Sequence, residues 1–390
     1  MTPAARIATA IEILDLWRAG TPAEQALTSW ARKNRFAGSK DRAAIRDHVF
    51  EAIRCARSFS ALGGGETGRA MMIGALRDAG TPVAEMFNGA GYGPAALSAA
   101  EEGAGEAPEG AEALDCPEWL AGELNAALGD DFAPVMRALR HRAPVFVRVN
   151  LARMSREDAR ASLAAEGIAA QDHGLSPSAL EITEGARRVA GSQTYLNGLV
   201  ELQDAASQAV VDAIPFEPGA RVLDYCAGGG GKSLALAARG AQVWAHDIAP
   251  NRMKDLPERA ARAGVQINTL FPDTLQSGPK TYDIVFADAP CSGSGSWRRA
   301  PQGKWDLTAA RLDELPELQA SILSDISRLV APGGVLAYAT CSLLARENTA
   351  QIQAFLARHS GWKLEREQAF TPLDGGDGFY IAILTNLQEK

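Results

Sequence analysis

The C-terminal half of the chain alternates short apolar runs with stretches of helical character, and this alternation constrains the fold more than any other feature. The strand-like runs are ARVLDY, AQVWAHDI, VQINTL, YDIVFADAP and GGVLAYATC. Such alternation predicts an α/β fold in which right-handed crossovers connect the strands of a parallel sheet. The last run, DGFYIAILTN, has no helix after it, so we expect that it can join the sheet in the antiparallel direction.

Two further regions precede this alternation. Apolar side chains recur at helical spacing near the N-terminus, at Ile7, Ile11, Leu14 and Trp17, which predicts helices through about residue 75. After residue 144, the runs VFVRVN and ALEI flank a Ser-initiated helical segment, which predicts a small α/β module. We therefore expect an all-helical domain over 1–140, a connecting module over 141–205 and a sheet domain over 206–390.

Composition favours a soluble globular protein. The chain has 390 residues, enough for two or three domains, with 46% hydrophobic and 22% charged residues and no apolar run long enough to span a membrane. Glu12 and Asp15 interrupt the N-terminal apolar stretch, which argues against a signal peptide. The five cysteines form no C-x-x-C pair. We therefore expect a cytoplasmic protein with neither disulfides nor a metal site.

The net charge of -8 is distributed unevenly. Residues 101–131 carry ten acidic side chains and no lysine or arginine, so the rest of the chain is slightly basic. Basic tracts lie at 32–57, with eight basic and three acidic residues, and at 137–156, with six arginines and no acid. Such tracts suit contacts to nucleic-acid phosphates, although a solvated helix face is the simpler interpretation.

A glycine-rich turn follows the first strand of the sheet domain. Residues 227–232 read AGGGGK, and Asp247 ends the next strand, 19 residues after Gly228. Consecutive glycines let a ligand approach the backbone, and a carboxylate in this place can accept both hydroxyls of a ribose, so the combination predicts a nucleoside site. A phosphate-binding loop of the form G-x-x-x-x-G-K-S is not predicted, because Cys226 stands where that pattern needs glycine.

Two cysteine motifs also follow apolar strands, DAPCSGSG at 288–295 and YATCSLL at 338–344. Because the carboxyl ends of parallel strands meet at the edge of the sheet where ligands bind, we expect Cys291 and Cys341 beside the nucleoside site. A free cysteine is most simply interpreted as a small apolar side chain in the core. That interpretation does not explain two cysteines and an Asp-Ala-Pro at one edge.

With these motifs the sequence resembles the Nop2/Sun family, whose bacterial members are called RsmB or Fmu, RNA methyltransferases that make 5-methylcytidine. The resemblance is carried by residues 224–233, 288–295 and 340–342, with support from ELQDAASQ at 201–208. It implies a C-terminal class I, Rossmann-like domain that uses S-adenosylmethionine. The stretch GSKDRAAIRDHVFEAIRCAR resembles the NusB-like RNA-binding domain of the bacterial members.

The resemblance also implies roles for single residues. Carbon 5 of cytosine is a poor nucleophile, and a thiolate that adds to carbon 6 activates it. Cys341 is the implied attacking thiol, and Asp288 is the implied residue that hydrogen-bonds the ring nitrogen. Because only one of the two thiols can hold carbon 6, we expect Cys291 to serve release. The implied cofactor-binding positions are Cys226, Ala227, Gly228, Gly229, Gly230, Gly231, Lys232, Asp247, Asp273 and Asp288.

Several of these positions have simpler interpretations as well. Lys232 is expected to act electrostatically on the site or to be a surface lysine. Asp273 is expected to recognise the adenine or its amine, or to cap a helix, and Cys226 is interpreted as packing. The run SWRRAPQGKW at 296–305 is expected either to stack on and clamp a displaced base or to pin a loop through its two tryptophans. Gly228-Gly229 replaces the family's usual Ala-Pro, which should loosen the turn.

The function expected from these observations is cytosine-5 methylation of RNA by a monomer, with small-subunit ribosomal RNA as the expected target and transfer RNA still open. A nicotinamide-dependent oxidoreductase is one alternative, but it leaves both cysteine motifs unexplained. A noncatalytic RNA-binding or ribosome assembly factor on a methyltransferase fold is the other. The presence of Cys341, Cys291 and Asp288 disfavours that factor.

Overall fold

In the computed structural model, which describes residues 1–273 and 275–388, the chain divides into two compact units. One unit comprises Met1–Arg142 together with Trp297–Asp306, and the other comprises Ala143–Ser296 together with the chain from Leu307 onward. Across the described ranges, no helix is both long enough and apolar enough to cross a lipid bilayer.

The first unit is helical, as the periodicity of the N-terminal region predicts. Its longer helices span Pro3–Arg18, Ala23–Lys33, Ser39–Arg54, Ala56–Gly63, Gly68–Asp78, Glu118–Leu128 and Phe132–Leu139. Short helices span Val83–Met86, Ala99–Gly103, Gly110–Ala113 and Gln302–Asp306. The apolar faces of these helices meet in one core that includes Ile13, Leu14, Ile45, Ile53 and Met71.

A buried carboxylate links several parts of this unit. Asp115 is fully buried and accepts hydrogen bonds from the backbone N–H groups of Arg57 (3.0 Å) and Ser58 (2.9 Å). Arg140 donates from Nε to the same carboxylate at 2.8 Å. Arg140 is therefore held by a structural contact, unlike an arginine on a solvated face.

The segment 297–306 packs inside the helical unit. Trp297 and Lys304 are each 2% exposed, and the Lys304 ammonium donates to the carbonyl of Arg54 at 2.7 Å. The indole N–H of Trp305 donates to the carbonyl of Ile53 at 2.6 Å, and burial lowers the pKa of Lys304 to about 8. Of the two interpretations of this segment, these contacts favour a pinned loop over a base clamp.

The second unit begins with a small antiparallel sheet. Its strands are β1 (Val145–Val149), β2 (Ala169–Asp172), β3 (Ala179–Glu184) and β4 (Val200–Leu202), in the order β2-β3-β1-β4. The helix Arg156–Ala165 begins after Ser155, whose hydroxyl accepts from the N–H of Asp158 at 3.1 Å. A short helix, Gln193–Leu196, precedes β4. The sequence predicts β1, β3 and the capped helix, whereas β2 and β4 are not recognised in it.

A seven-stranded sheet forms the rest of this unit. Its strands are β5 (Arg221–Asp224), β6 (Gln242–His246), β7 (Ile267–Leu270), β8 (Tyr282–Asp288), β9 (Val330–Thr340), β10 (Trp362–Phe370) and β11 (Phe379–Asn386). Its helices span Ala205–Asp212, Gly231–Ala238, Leu256–Ala263, Ala309–Ser327 and Thr349–Arg358. The order is β10-β11-β9-β8-β5-β6-β7, with β5 to β9 parallel and β11 antiparallel to both neighbours.

This topology confirms the Rossmann-like prediction and the antiparallel last strand. The strand β10 was not predicted. Asp288 at the end of β8 pairs with Ala339 near the end of β9. Because β8 and β9 are parallel neighbours, Cys291 and Cys341 follow adjacent strands at one edge of the sheet, beside the turn after β5.

Candidate active site

Glycine is required in the turn after β5 by its backbone conformation. Gly228 and Gly230 have φ values of +52° and +77°, in the left-handed region that other residues rarely adopt. A Cβ on Gly230 would also lie 2.2 Å from Cδ1 of Leu256. The helix Gly231–Ala238 begins directly afterwards, so the turn brings bare backbone to the sheet edge where nucleosides bind in this type of fold.

Asp247, at the end of β6, is almost completely buried and already accepts three hydrogen bonds. Its Oδ2 accepts from the N–H of Gly228 and from Nη1 of Arg252, each at 2.9 Å, and its Oδ1 accepts from the N–H of Ala249 at 2.9 Å. The Arg252 side chain is 59% exposed. A ribose that binds both carboxylate oxygens therefore competes with this guanidinium, which is free to move into solvent.

Asp224, the last residue of β5, contributes a buried carboxylate that the sequence did not single out. Its Oδ2 accepts from the Ser233 hydroxyl at 2.6 Å, while its Oδ1 has no hydrogen-bond partner among the described residues. Burial raises the pKa of Asp224 to about 7. An unpaired polar atom next to the glycine turn supports the binding of a ligand with hydrogen-bond donors there.

Two other positions of the expected cofactor site lie in different environments. Cys226 is half-buried against the apolar cluster of the sheet, and burial raises the pKa of its thiol far above the ordinary value. These observations agree with its interpretation as packing. Asp273 lies exposed in the turn after β7, so its expected contact with adenine stays a prediction.

Lys232 and Asp288 form an ion pair at the centre of the site. The ammonium lies 2.6 Å from Oδ2 of Asp288 and 5.0 Å from the ring centroid of Phe379, and the lysine side chain is 12% exposed. Burial is the largest single effect and lowers the pKa of Lys232, but Asp288, Cys341 and Asp224 together raise it above its ordinary value, so the lysine remains charged. Lys232 is therefore an internal cation, and the surface-lysine interpretation does not describe its surroundings.

The two cysteines of the sheet edge are in contact. Their Sγ atoms lie 3.4 Å apart, within hydrogen-bonding distance for sulfur. The hydrogen bond to Cys341 and then burial raise the pKa of Cys291 well above its usual range, and the charge of Glu347 adds to the effect. The Lys232 ammonium, in contrast, interacts electrostatically with Cys341. The two thiols therefore have different electrostatic surroundings. Cys341 interacts with the Lys232 ammonium, whereas Cys291 interacts with the Glu347 carboxylate.

Glu347 is a fully buried carboxylate that sequence reasoning missed. Its Oε1 accepts from the N–H of Ser292 at 2.8 Å and from Nε2 of Gln319 at 3.0 Å. Its Oε2 accepts from the hydroxyls of Ser292 and Ser342. The only signal in the sequence is that a serine follows each cysteine and that Glu347 comes six residues after Cys341.

Comparison with known proteins identifies the family. Residues 212–385 match the family profile described as 16S rRNA methyltransferase RsmB/F, and residues 116–189 match the profile of the ferredoxin-like domain of RsmF/B-like methyltransferases. The ribosomal RNA small subunit methyltransferase B of Klebsiella pneumoniae is 35% identical over 283 residues, which are 69% of this chain and 65% of that protein. The chain belongs to the RsmB/F methyltransferase family.

Membership of the RsmB/F family confirms the resemblance found in the sequence motifs. The protein of the same name from Escherichia coli O6:K15:H31 is 33% identical over 282 residues, or 69% of this chain and 66% of that protein. The chain thus spans slightly less than two thirds of the length of these curated relatives. The RsmB/F family consists of methyltransferases that depend on S-adenosylmethionine, and the glycine turn, Asp247 and the unpaired oxygen of Asp224 fit this cofactor.

Solved structures show the same fold. PH0851 superposes with a TM-score of 0.77 at 22% identity and covers 98% of this chain and 99% of its own. NSun6 from Pyrococcus horikoshii, solved with SFG, has a TM-score of 0.62 at 18% identity and covers 70% of this chain and 99% of its own. At these identities the similarity concerns the fold of the RsmB/F chain.

Proposed function

We propose that this protein transfers a methyl group from S-adenosylmethionine to carbon 5 of a cytosine in small-subunit ribosomal RNA, through a covalent adduct with Cys341. Membership of the RsmB/F family supports the reaction class, and the names of the curated relatives support the RNA. The observation that carries the covalent step is the 3.4 Å contact between Cys341 and Cys291 beside the glycine turn.

The cofactor would be held by the turn and by the carboxylates around it. The bare backbone of the glycine turn would approach the cofactor, Asp247 would accept from the ribose, and Asp224 offers its unpaired oxygen. Asp273 would contact the adenine or its amine. S-adenosylmethionine supplies an electrophilic methyl group on a sulfonium that leaves as a neutral thioether.

In the first step, Cys341 acts as a thiolate and its sulfur forms a bond to carbon 6 of the cytosine. Either sulfur can be the donor in their contact, and when Cys341 is the thiolate the protonated Cys291 would be the donor. The electron pair of the 5,6 double bond moves to carbon 5, and the ring nitrogen gains a proton from solvent. That N–H donates to the Asp288 carboxylate, which is paired with the Lys232 ammonium. Carbon 5 then takes the methyl group.

Release requires a base for the proton on carbon 5. The hydrogen bond to Cys341 is the main reason that Cys291 stays protonated, and Cys341 in the adduct is an uncharged thioether. Cys291 therefore becomes easier to ionise after attack, and it loses its proton to solvent. As a thiolate it takes the proton from carbon 5. The C–H electron pair restores the double bond, the ring nitrogen returns its proton, and the carbon–sulfur pair goes back to Cys341.

The reaction is tested by incubating the protein and methyl-labelled S-adenosylmethionine with small-subunit ribosomal RNA from cells that lack the gene. Digestion and mass spectrometry should then identify the label in 5-methylcytidine. Cys341→Ala should transfer no methyl group, whereas Cys116→Ala, which removes a buried thiol of the helical unit, should remain active. Label in another nucleoside, or full activity of Cys341→Ala, would exclude the proposal.

A further inference from the structure

Glu347 connects the two loops that carry the thiols. Ser292 directly follows Cys291, and Ser342 directly follows Cys341. Both serine hydroxyls donate to the same carboxylate oxygen, and the backbone N–H of Ser292 donates to the other oxygen. One side chain thus holds the residue next to each cysteine, which limits how far the two loops can separate.

The carboxylate is well suited to a fixed position. It is fully buried, and each of its oxygens accepts two hydrogen bonds, so no acceptor is left without a partner. A buried charge is tolerated only where such bonds replace water, and losing one of them leaves a costly unsatisfied group. The neighbouring Asn348 adds a second restraint, because its Nδ2 donates to the carbonyl of Ser342 at 2.9 Å.

We infer that Glu347 is a positioning residue, whose four hydrogen bonds set the distance between the sulfur atoms of Cys291 and Cys341. The expected effect of Glu347 on catalysis rests on the proposed function, whereas its effect on the distance between the two sulfur atoms does not. Glu347 touches neither thiol through a hydrogen bond of its own, and it acts through Ser292 and Ser342.

Replacing Glu347 with glutamine distinguishes the effect of its hydrogen bonds from the effect of its negative charge. In Glu347→Gln, the amide oxygen can keep the bonds from the Ser292 N–H and from Gln319, while the amide NH2 can donate to the two serine hydroxyls, which accept as readily as they donate. The loops therefore stay tied, and only the negative charge is lost. Glu347→Ala removes all four bonds, so the loops lose their common anchor.

The distance between the thiols is measured directly with dibromobimane, a reagent that links two neighbouring thiols with loss of two bromides. The link between Cys291 and Cys341 is quantified by peptide mass spectrometry. We expect Glu347→Ala to form the link at least about tenfold more slowly than wild type, and Glu347→Gln to stay within about twofold. The control is Glu166→Gln, since Glu166 likewise accepts backbone and hydroxyl bonds, from Gln193 and Thr194, but lies in the small module.

Methyl transfer gives the second readout. Because displacement of reacting groups by about 1 Å can cost on the order of a hundredfold, Glu347→Ala should lose about that factor in kcat. Its KM for S-adenosylmethionine should stay within about twofold, since no residue of the cofactor turn is changed. Wild-type linking in Glu347→Ala, or a higher KM with unchanged kcat, would overturn the inference.

Two other outcomes, a Glu347→Ala variant that does not fold and a wild-type protein that transfers no methyl group, can each be distinguished from failure of the inference. If Glu347→Ala does not fold, Ser342→Ala replaces it, because that variant keeps three of the four bonds to Glu347 and should slow linking by a smaller factor. Unchanged linking in Ser342→Ala then overturns the inference. If wild type transfers no methyl group but Glu347→Ala still loses the link, the proposed function fails while the positioning role stands.

Discussion

Lys232 lies on a helix and Asp288 at a strand end, and their side chains meet at 2.6 Å in the middle of the site. Lys232 is the second residue of the helix after β5, and Asp288 ends β8, which is the parallel neighbour of β5. The pair places a positive charge beside Cys341 and engages Oδ2 of the Asp288 carboxylate. Its strength as a charge-assisted hydrogen bond makes it the first target for substitution.

Lys232→Met should lower kcat/KM for methyl transfer roughly tenfold to a hundredfold, because a hydrogen bond between charged groups is worth about 1.5–3 kcal/mol. Steady-state kinetics with labelled S-adenosylmethionine measures the change. The matched control is Lys363→Met, which removes the exposed ion pair between Lys363 and Glu365 and should leave kcat/KM unchanged. Equal losses in both variants would mean that the buried pair has no special role.

Asp247→Ala should weaken S-adenosylmethionine binding by on the order of 1.5–3 kcal/mol, since a charged acceptor for the ribose is lost. Titration calorimetry measures the affinity. Arg252→Ala keeps the bond between Asp247 and Gly228 and removes the competing guanidinium, so its affinity should equal or exceed that of wild type. Unchanged affinity in Asp247→Ala would show that the ribose is held elsewhere.

Substitution of the two cysteines should block the reaction at different steps. Cys341→Ala should form no covalent complex, because carbon 6 is never attacked. Cys291→Ala should attack and methylate but stall before release, so that protein accumulates on its RNA after at most about one turnover. A denaturing gel after incubation with RNA and S-adenosylmethionine shows the complex. A covalent band with Cys341→Ala and none with Cys291→Ala would reverse the assignment.

RNA binding by the helical unit is best tested on its first basic tract. Arg32, Arg35 and Lys40 are exposed, and none forms an ion pair with a carboxylate in the described ranges. Replacing all three with glutamine should weaken RNA binding. The negative slope of log affinity against log salt should become shallower by about 2, as expected for the loss of three contacts to single-stranded phosphate.

Filter binding across a salt series measures both quantities. Replacing Lys363 and Arg366 on β10 is the control. If the triple variant keeps its affinity and slope, the tract is a solvated face. The tract at 137–156 is unsuitable as a block, because Arg140 bonds the buried Asp115 and its removal would destabilise the fold.

Asp224 should make stability depend on pH. Its pKa of about 7 in the folded protein lies above the ordinary value of 3.8, so the folded state binds the proton more tightly. The stabilisation from this proton is present below the unfolded pKa and is lost as pH rises towards 7. Urea unfolding of Asp224→Asn at several pH values tests this, because the amide does not titrate. Relative to the variant, wild type should lose stability over that range, and parallel pH profiles would contradict the prediction.

Much of the fold was predictable because local pattern and global architecture agree here. The strands from β5 to β9 are apolar runs that need burial, and helical segments of sufficient length separate them, so a parallel sheet follows from the chain alone. The glycine turn and the two cysteine motifs mark their strand ends by composition. In contrast, β10 is an edge strand whose Lys363, Glu365 and Arg366 are exposed, and it therefore lacks the apolar signal by which the other strands are recognised.

The features of the site likewise fall into those that the sequence determines and those that only the tertiary structure decides. The sequence by itself determined which residue types follow which strands, because the order of elements is written along the chain: Cys291 after β8, Cys341 after β9 and Asp247 after β6. Only the tertiary structure decided that the two sulfurs touch, that Lys232 pairs with Asp288, and that Glu347 ties both thiol loops. The contact between the sulfurs, the ion pair and the bond between Glu347 and Ser292 each join residues 50 or more positions apart. The bond between Glu347 and Ser342 is local, but it forms on a carboxylate that is completely buried. These contacts arise from side-chain packing across strands, which no local pattern encodes.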